Sequence, residues 1–234
     1  MIHVEKLWKR YKLFFDSLNA SNRTLDYITN LFYLYTIVPY VTLLFLKLKL
    51  SPNTATITSG LFGTLAGLLI YNGNLLMAGL LIIAHQTLDI VDGNLARLTN
   101  RSSKLGAMLD LHFDRVVRTS LLLGILFGTD VGLLYKVAFV VTIFVDIIVV
   151  LKYVTPFMKE NSLVRAPWKK WFIDRGMIPS FDIFTMYFLL SILCLVGNID
   201  WFVYIVIIGK NVDWIYRVSE CIRTKRYHRK QITI

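Results

Sequence analysis

Cysteine is nearly absent from this chain. Cys194 and Cys221 are the only two in 234 residues, and neither has a CxxC partner or a His-rich neighbour, so a disulfide scaffold and a zinc site are both excluded. Negative charge is also scarce, with 15 Asp and Glu against 26 Lys and Arg and a formal net charge of +11. Charged residues of both signs make up only 18% of the chain while 56% is hydrophobic, above the roughly 45–50% of a soluble domain. With a mean hydropathy of +0.57, a water-soluble globule is excluded. So is a disordered chain, because a sequence this apolar cannot stay solvated. A positive excess on an oily chain points to anionic lipid head groups or phosphorylated substrates ahead of nucleic acid. No repeat of fixed period and no low-complexity linker interrupts it, so one membrane domain is expected.

Residues 1–20 lack the apolar run of a signal peptide. Val4, Leu7, Trp8, Tyr11, Phe14, Phe15 and Leu18 instead recur at helical spacing among Lys6, Lys9, Arg10, Lys12 and Asp16, which predicts an amphipathic helix lying in the membrane interface. Further on, apolar stretches at about 54–72, 74–98, 106–128, 131–155, 181–198 and 200–221 each approach the ~20 residues that cross a bilayer. The expected fold is therefore an all-α integral membrane protein of six transmembrane helices. Residues 1–50 form its juxtamembrane region, 51–222 its catalytic domain and 223–234 a basic tail. Residues 31–50, broken by Pro39 and closing on Lys47 and Lys49, read as an interfacial or partly buried helix rather than a seventh span.

The connectors Asn72-Gly73-Asn74, Gly128-Thr129-Asp130 and Gly197-Asn198-Ile199-Asp200 hold no Lys or Arg. The others are basic: Arg101 and Lys104, then Lys159, Arg165, Lys169, Lys170 and Arg175, then Arg223, Lys225, Arg226, Arg229 and Lys230. By the positive-inside rule the basic set faces the cytoplasm, together with both termini and the active site.

Four carboxylates interrupt the apolar helices. Asp89 and Asp92 are three apart and Asp110 and Asp114 four apart, so each pair shares one helix face, and the short connector makes the two helices antiparallel neighbours. Asp89 and Asp114 lie deepest, about 12 Å from the cytoplasmic ends at 1.5 Å per residue. Four such charges cannot share a low-dielectric site unless cations or protons neutralise them. An oxygen-only ligand set suits Mg²⁺ or Mn²⁺, and two ions would bridge a diphosphate. Gly93 and Ala96 fall on the carboxylate stripe, where missing side chains let a ligand approach the backbone, and Arg97 is placed to clamp a phosphate.

Asp89-x-x-Asp92-Gly93-x-x-Ala96-Arg97, eight residues, then Gly106-x-x-x-Asp110-x-x-x-Asp114 resembles the signature of the CDP-alcohol phosphotransferases at all eight fixed positions. Pro52-Asn53-x-x-Thr56 is similar to the segment that opens the family's first span. The resemblance covers about residues 51–115. It implies metal-dependent transfer of a phosphatidyl-type group from a CDP-alcohol to a hydroxyl acceptor, with release of CMP, in phospholipid biosynthesis. It further implies metal ligation by Asp89, Asp92, Asp110 and Asp114, with Asp114 as the general base. Asn53, Thr56, Gly93, Ala96 and Arg97 would contact the nucleotide, the membrane lipid donor would be CDP-diacylglycerol, and the protein would be a homodimer.

The remaining intramembrane polar residues are Arg115, Arg118, Asp146, Lys210, Asp213 and Arg217. They are either buried ion pairs, such as Lys210–Asp213, Asp213–Arg217 or Arg118–Asp146, or the lining of an acceptor pocket. On the second reading four cations outnumber two carboxylates, which favours an anionic acceptor such as glycerol phosphate or inositol phosphate. A cation or proton transporter is the alternative function, although the outer halves of the spans are almost wholly apolar.

Overall fold

The structure is a computed structural model and describes residues 25–232, so the expected interfacial helix over residues 1–20 lies outside the described residues. A two-residue strand, β1 (Asp26–Tyr27), leads into α1 (Ile28–Tyr35) and α2 (Val38–Lys47), which meet at 49°. Pro39 occupies the first turn of α2, where a missing N–H removes no helical bond. Asn30, Tyr33, Val38 and Thr42 are buried while Phe32, Tyr40 and Leu44 are exposed, so this segment is partly buried. The bent pair has the length and apolarity of a broken span or a re-entrant loop.

Side-chain caps open the next three helices. Ser51 accepts the Thr54 N–H at 3.1 Å ahead of α3 (Pro52–Tyr71). Asn74 caps α4 (Leu75–Leu98) through Met77 N–H, and Ser103 caps α5 (Lys104–Gly128) through Gly106 N–H at 3.0 Å. Each oxygen satisfies an N–H that has no partner within its own helix. α6 (Leu133–Val149) runs through a π turn, Val150–Val154, into α7 (Thr155–Glu160). The widened turn lies just ahead of Pro156, which has no N–H to give and whose ring crowds the preceding carbonyls. Then follow α8 (Pro167–Ile173), β2 (Met177–Ile178), α9 (Ile183–Val196) and α10 (Asp200–Ile232). α10 continues as one helix through the basic residues after 222 as far as Ile232.

Among the described residues, α3, α4 and the continuous helix Leu133–Glu160 are long and apolar enough to cross a membrane, and the α1–α2 pair makes a fourth if counted as one span. α5 and α10 are long enough, but they carry Asp110, Asp114, Arg115 and Arg118, and Lys210, Asp213 and Arg217. α9, with 14 residues, reaches about 21 Å against a ~30 Å hydrocarbon core.

The site is built where α3 packs against both α4 and α5. Gly60, Gly63 and Gly67 form one stripe of α3 facing α5. A Cβ on Gly67 would lie 2.5 Å from the Ser120 backbone, and one on Gly124 would lie 2.4 Å from the Gly67 carbonyl. Ser120 Oγ donates to the Thr64 carbonyl at 2.7 Å, fixing the register of the pair. Small residues at such a seam let backbones touch where no hydrophobic force separates helix from lipid. Below this contact Val117, Leu121 and Ile125 of α5 pack with Ala66 and Ile70 of α3, Ile82 of α4 and Leu190 of α9. Far from it in sequence, β1 and β2 pair in parallel, Asp26 opposite Met177 and Tyr27 opposite Ile178, tying the chain ahead of α1 to the segment ahead of α9.

Gly124→Leu is expected to force α3 and α5 apart and to destabilise the fold by about 1–3 kcal/mol or more. A fall in melting temperature of the detergent-solubilised protein, read by fluorescence-detected size exclusion, checks this; an unchanged midpoint would mean that the seam is not close-packed.

Candidate active site

α4 and α5 run antiparallel and bring carboxylate oxygens of Asp89, Asp110 and Asp114 within 4.8 Å of one another. Asp92, one turn beyond Asp89 on α4, is held apart from this triad by Thr56 of α3, whose hydroxyl donates to Asp92 Oδ2 at 2.6 Å. On α5 the guanidinium of Arg118 donates to Asp114 Oδ2 at 2.6 Å. The donor set is oxygen only and compact, so these residues fit a hard divalent cation better than a soft one.

Two cavities meet at the carboxylates. The larger, about 490 Å³, is walled by Asp89, Asp92, Asp110, Asp114 and Arg118, with His85, Asn30 and Tyr187 among its other lining residues. The smaller, about 200 Å³, is lined by Asn53, Thr56, Gly93 and Ala96, together with Arg101 and Ser103. Asp92, Gly93 and Asp110 belong to both walls. Four of the five residues singled out for the nucleotide are thus gathered in one groove beside the carboxylates. The fifth, Arg97, is exposed at the end of α4, where its guanidinium donates to Asn94 Oδ1. Gly93 lies directly beneath it, since an added Cβ would sit 3.5 Å from Nη1. Asn53 has its own close neighbour in Gly106, where a Cβ would come within 2.9 Å of Asn53 Oδ1.

A third cavity, about 150 Å³, opens beside the first and shares Leu25 and Tyr27 with it. Arg165, Lys169 and Arg217 line it together with Ser180 and Glu220. Burial pushes the Tyr27 phenol above its ordinary pKa, with the Arg217 guanidinium pulling the other way. Lys169 is held by Glu220 at 2.6 Å.

The six residues set aside for an acceptor do not converge. Arg118 lines the large cavity and Arg217 the third. Arg115 is exposed and lies outside the lining of all three cavities. Lys210 of α10 and Asp146 of α6 form a buried pair at 2.9 Å, and Arg217 pairs with Asp213 at 2.8 Å while also donating to Ser180. Of the pairs considered from sequence, Asp213–Arg217 is present. Lys210 takes Asp146 rather than Asp213, because the faces of α6 and α10 that carry them pack together. Arg118 takes Asp114 rather than Asp146, because Asp114 is its i−4 neighbour on one helix. Three of the four cations hold a carboxylate, Arg118 that of Asp114 in the cluster itself.

Several wall residues carried no motif. His85 lies four before Asp89, on the same stripe of α4, and that spacing was its one signal in the sequence. Its Nδ1 lies 2.8 Å from Ser59 Oγ and 3.1 Å from the Ser59 carbonyl. Gln86 accepts from Tyr33 at 2.7 Å and donates to the Phe184 carbonyl at 2.9 Å, joining α1, α4 and α9 behind the cavity.

Residues 49–212 match the CDP-alcohol phosphatidyltransferase family. The chain is similar to an archaetidylinositol phosphate synthase of Pyrococcus horikoshii, 40% identical over 82 residues, which are 35% of this chain and 44% of the relative. It is also similar to a phosphatidylinositol phosphate synthase of Corynebacterium glutamicum, 40% identical over 93 residues, 39% of this chain and 40% of the relative. A phosphatidylinositol phosphate synthase of Streptomyces avermitilis is 34% identical over 87 residues, 36% of this chain and 35% of the relative. The chain thus aligns with less than half the length of each of these relatives.

The Lys210–Asp146 pair yields a test of structure against binding. Lys210→Met leaves a buried carboxylate alone, and its loss of stability is expected at about 3–5 kcal/mol. The double variant with Asp146→Leu should recover most of that. A melting-temperature series checks it, and equal destabilisation by the single and the double variant would contradict the pairing.

Proposed function

The chain belongs to the CDP-alcohol phosphatidyltransferase family, and on that premise we propose that it is a phospholipid-forming transferase, moving a phosphatidyl-type group from CDP-diacylglycerol or a similar CDP-activated lipid to a phosphorylated polyol. The observation that carries this reading is the carboxylate triad at the junction of two cavities, with Asp92, Gly93 and Asp110 common to both walls. A nucleotide in the small groove would set its diphosphate against the carboxylates, and an acceptor in the large cavity would meet it from the other side.

In the reaction, the acceptor hydroxyl oxygen attacks the phosphorus that carries the lipid alcohol. A new P–O bond forms, the anhydride P–O bond to CMP breaks, and CMP leaves with that electron pair. The hydroxyl proton passes to Asp114, whose Oδ2 is already held by Arg118, leaving Oδ1 to receive it. Two Mg²⁺ or Mn²⁺ ions held by Asp89, Asp92, Asp110 and Asp114 would neutralise the diphosphate and steady the leaving oxygen. Thr56 fixes one oxygen of Asp92 and so orients the other. Asn53, Gly93 and Ala96 form the floor on which the cytidine and its phosphates lie, and Arg97 holds the diphosphate at the groove's mouth.

For the acceptor's charge, Arg118 and Arg217 are kept from the residues the sequence suggested, and Arg165 and Lys169 join them. Arg118 stands in the large cavity, and Arg165, Lys169 and Arg217 stand in the neighbouring one, which shares Leu25 and Tyr27. A polyol in the first with its phosphate in the second is the arrangement these charges favour, and the names of the relatives point to inositol phosphate. Asp146, Lys210 and Asp213 act by holding α10 in place. For the membrane, the reading is six spans with the carboxylates and both termini on the cytoplasmic side, supported by the alternation of basic and uncharged connectors.

Transfer from CDP-diacylglycerol to inositol phosphate, read as CMP release and lipid product, should require Mg²⁺ or Mn²⁺ and stop in excess chelator. Undiminished turnover with chelator would overturn the metal assignment. Asp114→Asn is expected to lose about 10²- to 10⁴-fold in rate while still binding a CDP-nucleotide, whereas Asp89→Asn and Asp110→Asn should lose both. Near wild-type turnover in folded Asp114→Asn would remove it as the base.

A further inference from the structure

Leu25 and Tyr27 belong to the walls of both the large cavity and the third one. Leu25 offers only apolar atoms, so a molecule that reaches from one cavity into the other meets a single polar side chain on this shared wall, the phenol of Tyr27. Its backbone is fixed, because Tyr27 pairs with Ile178 in the β1–β2 ladder and Asp26 N–H beside it donates to the Gly176 carbonyl at 3.1 Å.

The half-buried phenol stands among charged groups, Arg217 foremost, with Asp182, Asp213 and Asp26 around it. Every one of these carboxylates is already engaged. Asp182 caps α9, accepting the N–H groups of Phe184 and Thr185 and the Thr185 hydroxyl. Asp213 holds Arg217 at 2.8 Å and the Ser180 hydroxyl at 3.3 Å. Asp26 accepts from the Tyr27 N–H at 2.8 Å and from Asn30 Nδ2 at 2.6 Å. Among the described residues none accepts the Tyr27 hydroxyl. The phenol oxygen of Tyr216 also lacks a partner but is sealed inside the protein, whereas that of Tyr27 keeps accessible surface. Burial raises the Tyr27 pKa above its ordinary value, so the group keeps its proton through the neutral range and remains a donor. An O–H without an acceptor, next to a cavity lined by Arg165, Lys169 and Arg217, is matched by a ligand atom that is both anionic and an acceptor, which describes a phosphate oxygen.

We propose that Tyr27 is a specificity-determining residue for the acceptor substrate: its hydroxyl donates to a phosphate oxygen of the phosphorylated polyol where that molecule passes from the large cavity into the third. The inference rests on the functional reading above and adds to it a residue that tells a phosphorylated polyol from the free one. The strand pair holds this donor in the wall, outside every sequence motif of the site.

The test uses the full-length protein in lipid nanodiscs with CDP-diacylglycerol as donor and inositol monophosphate, glycerol phosphate or free inositol as acceptor. Tyr27→Phe removes only the hydroxyl. Its KM for inositol monophosphate should rise roughly 10-fold or more, the lower end of what a hydrogen bond to a charged group is worth, with the CDP-diacylglycerol KM unchanged. Any slower transfer to free inositol should be the same in variant and wild type, because that acceptor has no phosphate to lose the contact. Should Tyr27→Phe not fold, Tyr27→Leu, which also lacks the hydroxyl, is measured against the same panel. If the wild type transfers to inositol monophosphate but the variant leaves its KM unchanged, raises both KM values alike, or loses as much with free inositol, the hydroxyl does not meet the phosphate. The inference is then overturned while the functional reading stands. If the wild type transfers to neither phosphorylated acceptor, the functional reading falls and the inference with it.

Discussion

Carboxylates whose oxygens lie within 4.8 Å of one another repel strongly where water is scarce, and the polar wiring of this bundle answers that repulsion. Thr56 draws one oxygen of Asp92 aside, and Arg118 covers one oxygen of Asp114. What these contacts leave open is negative and oxygen-lined, which is why the cluster implies a hard cation rather than a buried network complete in itself. The α3–α5 seam is part of the same arrangement. Gly60, Gly63 and Gly67 let α3 lie against α5, and Thr56 at the head of α3 reaches the other way to Asp92 on α4.

The spacing of Asp89, Asp92, Asp110 and Asp114 was enough to find the site, because helical periodicity turns sequence intervals directly into shared faces. Asn53 and Thr56 came from the family resemblance rather than from spacing, and they line one groove with Gly93 and Ala96. Contacts between distant elements were not legible. Nothing in the intervals among Asp146, Lys210 and Asp213 says which carboxylate Lys210 takes. That depends on which faces of α6 and α10 meet, and apolar residues surround both helices without a stripe to orient them. His85 was within reach of a careful count from Asp89. Asn30 was not, since its place in the wall depends on β1 pairing with a strand from the other half of the chain.

The polar seam between α6 and α10 bears on the transporter alternative. Lys210 meets Asp146, Asn211 donates to Thr142, and Trp214 donates to Asn211. These groups bond to one another in a line along the helix contact, which is how a bundle fastens a long charged helix in lipid. A conduction path needs polar groups that exchange partners with a moving ion. Lys210 and Asp146 thus fasten α10 to α6.

The two-residue ladder between β1 and β2 is small, but it joins chain segments separated by nearly the whole bundle. A parallel pair needs a crossover between its strands, and here the crossover is the membrane domain itself, from α1 through α8. During synthesis the carboxylate-bearing hairpin of α4 and α5 is complete long before Met177 and Ile178 have been made. Loop-closure entropy keeps so distant a pairing from forming ahead of the helices between. The nascent chain therefore carries its acidic cluster without a roof until the second half arrives. The roof waits on Met177 and Ile178, so a chain that stops before them would hold the carboxylate-bearing helices and no enclosed chamber.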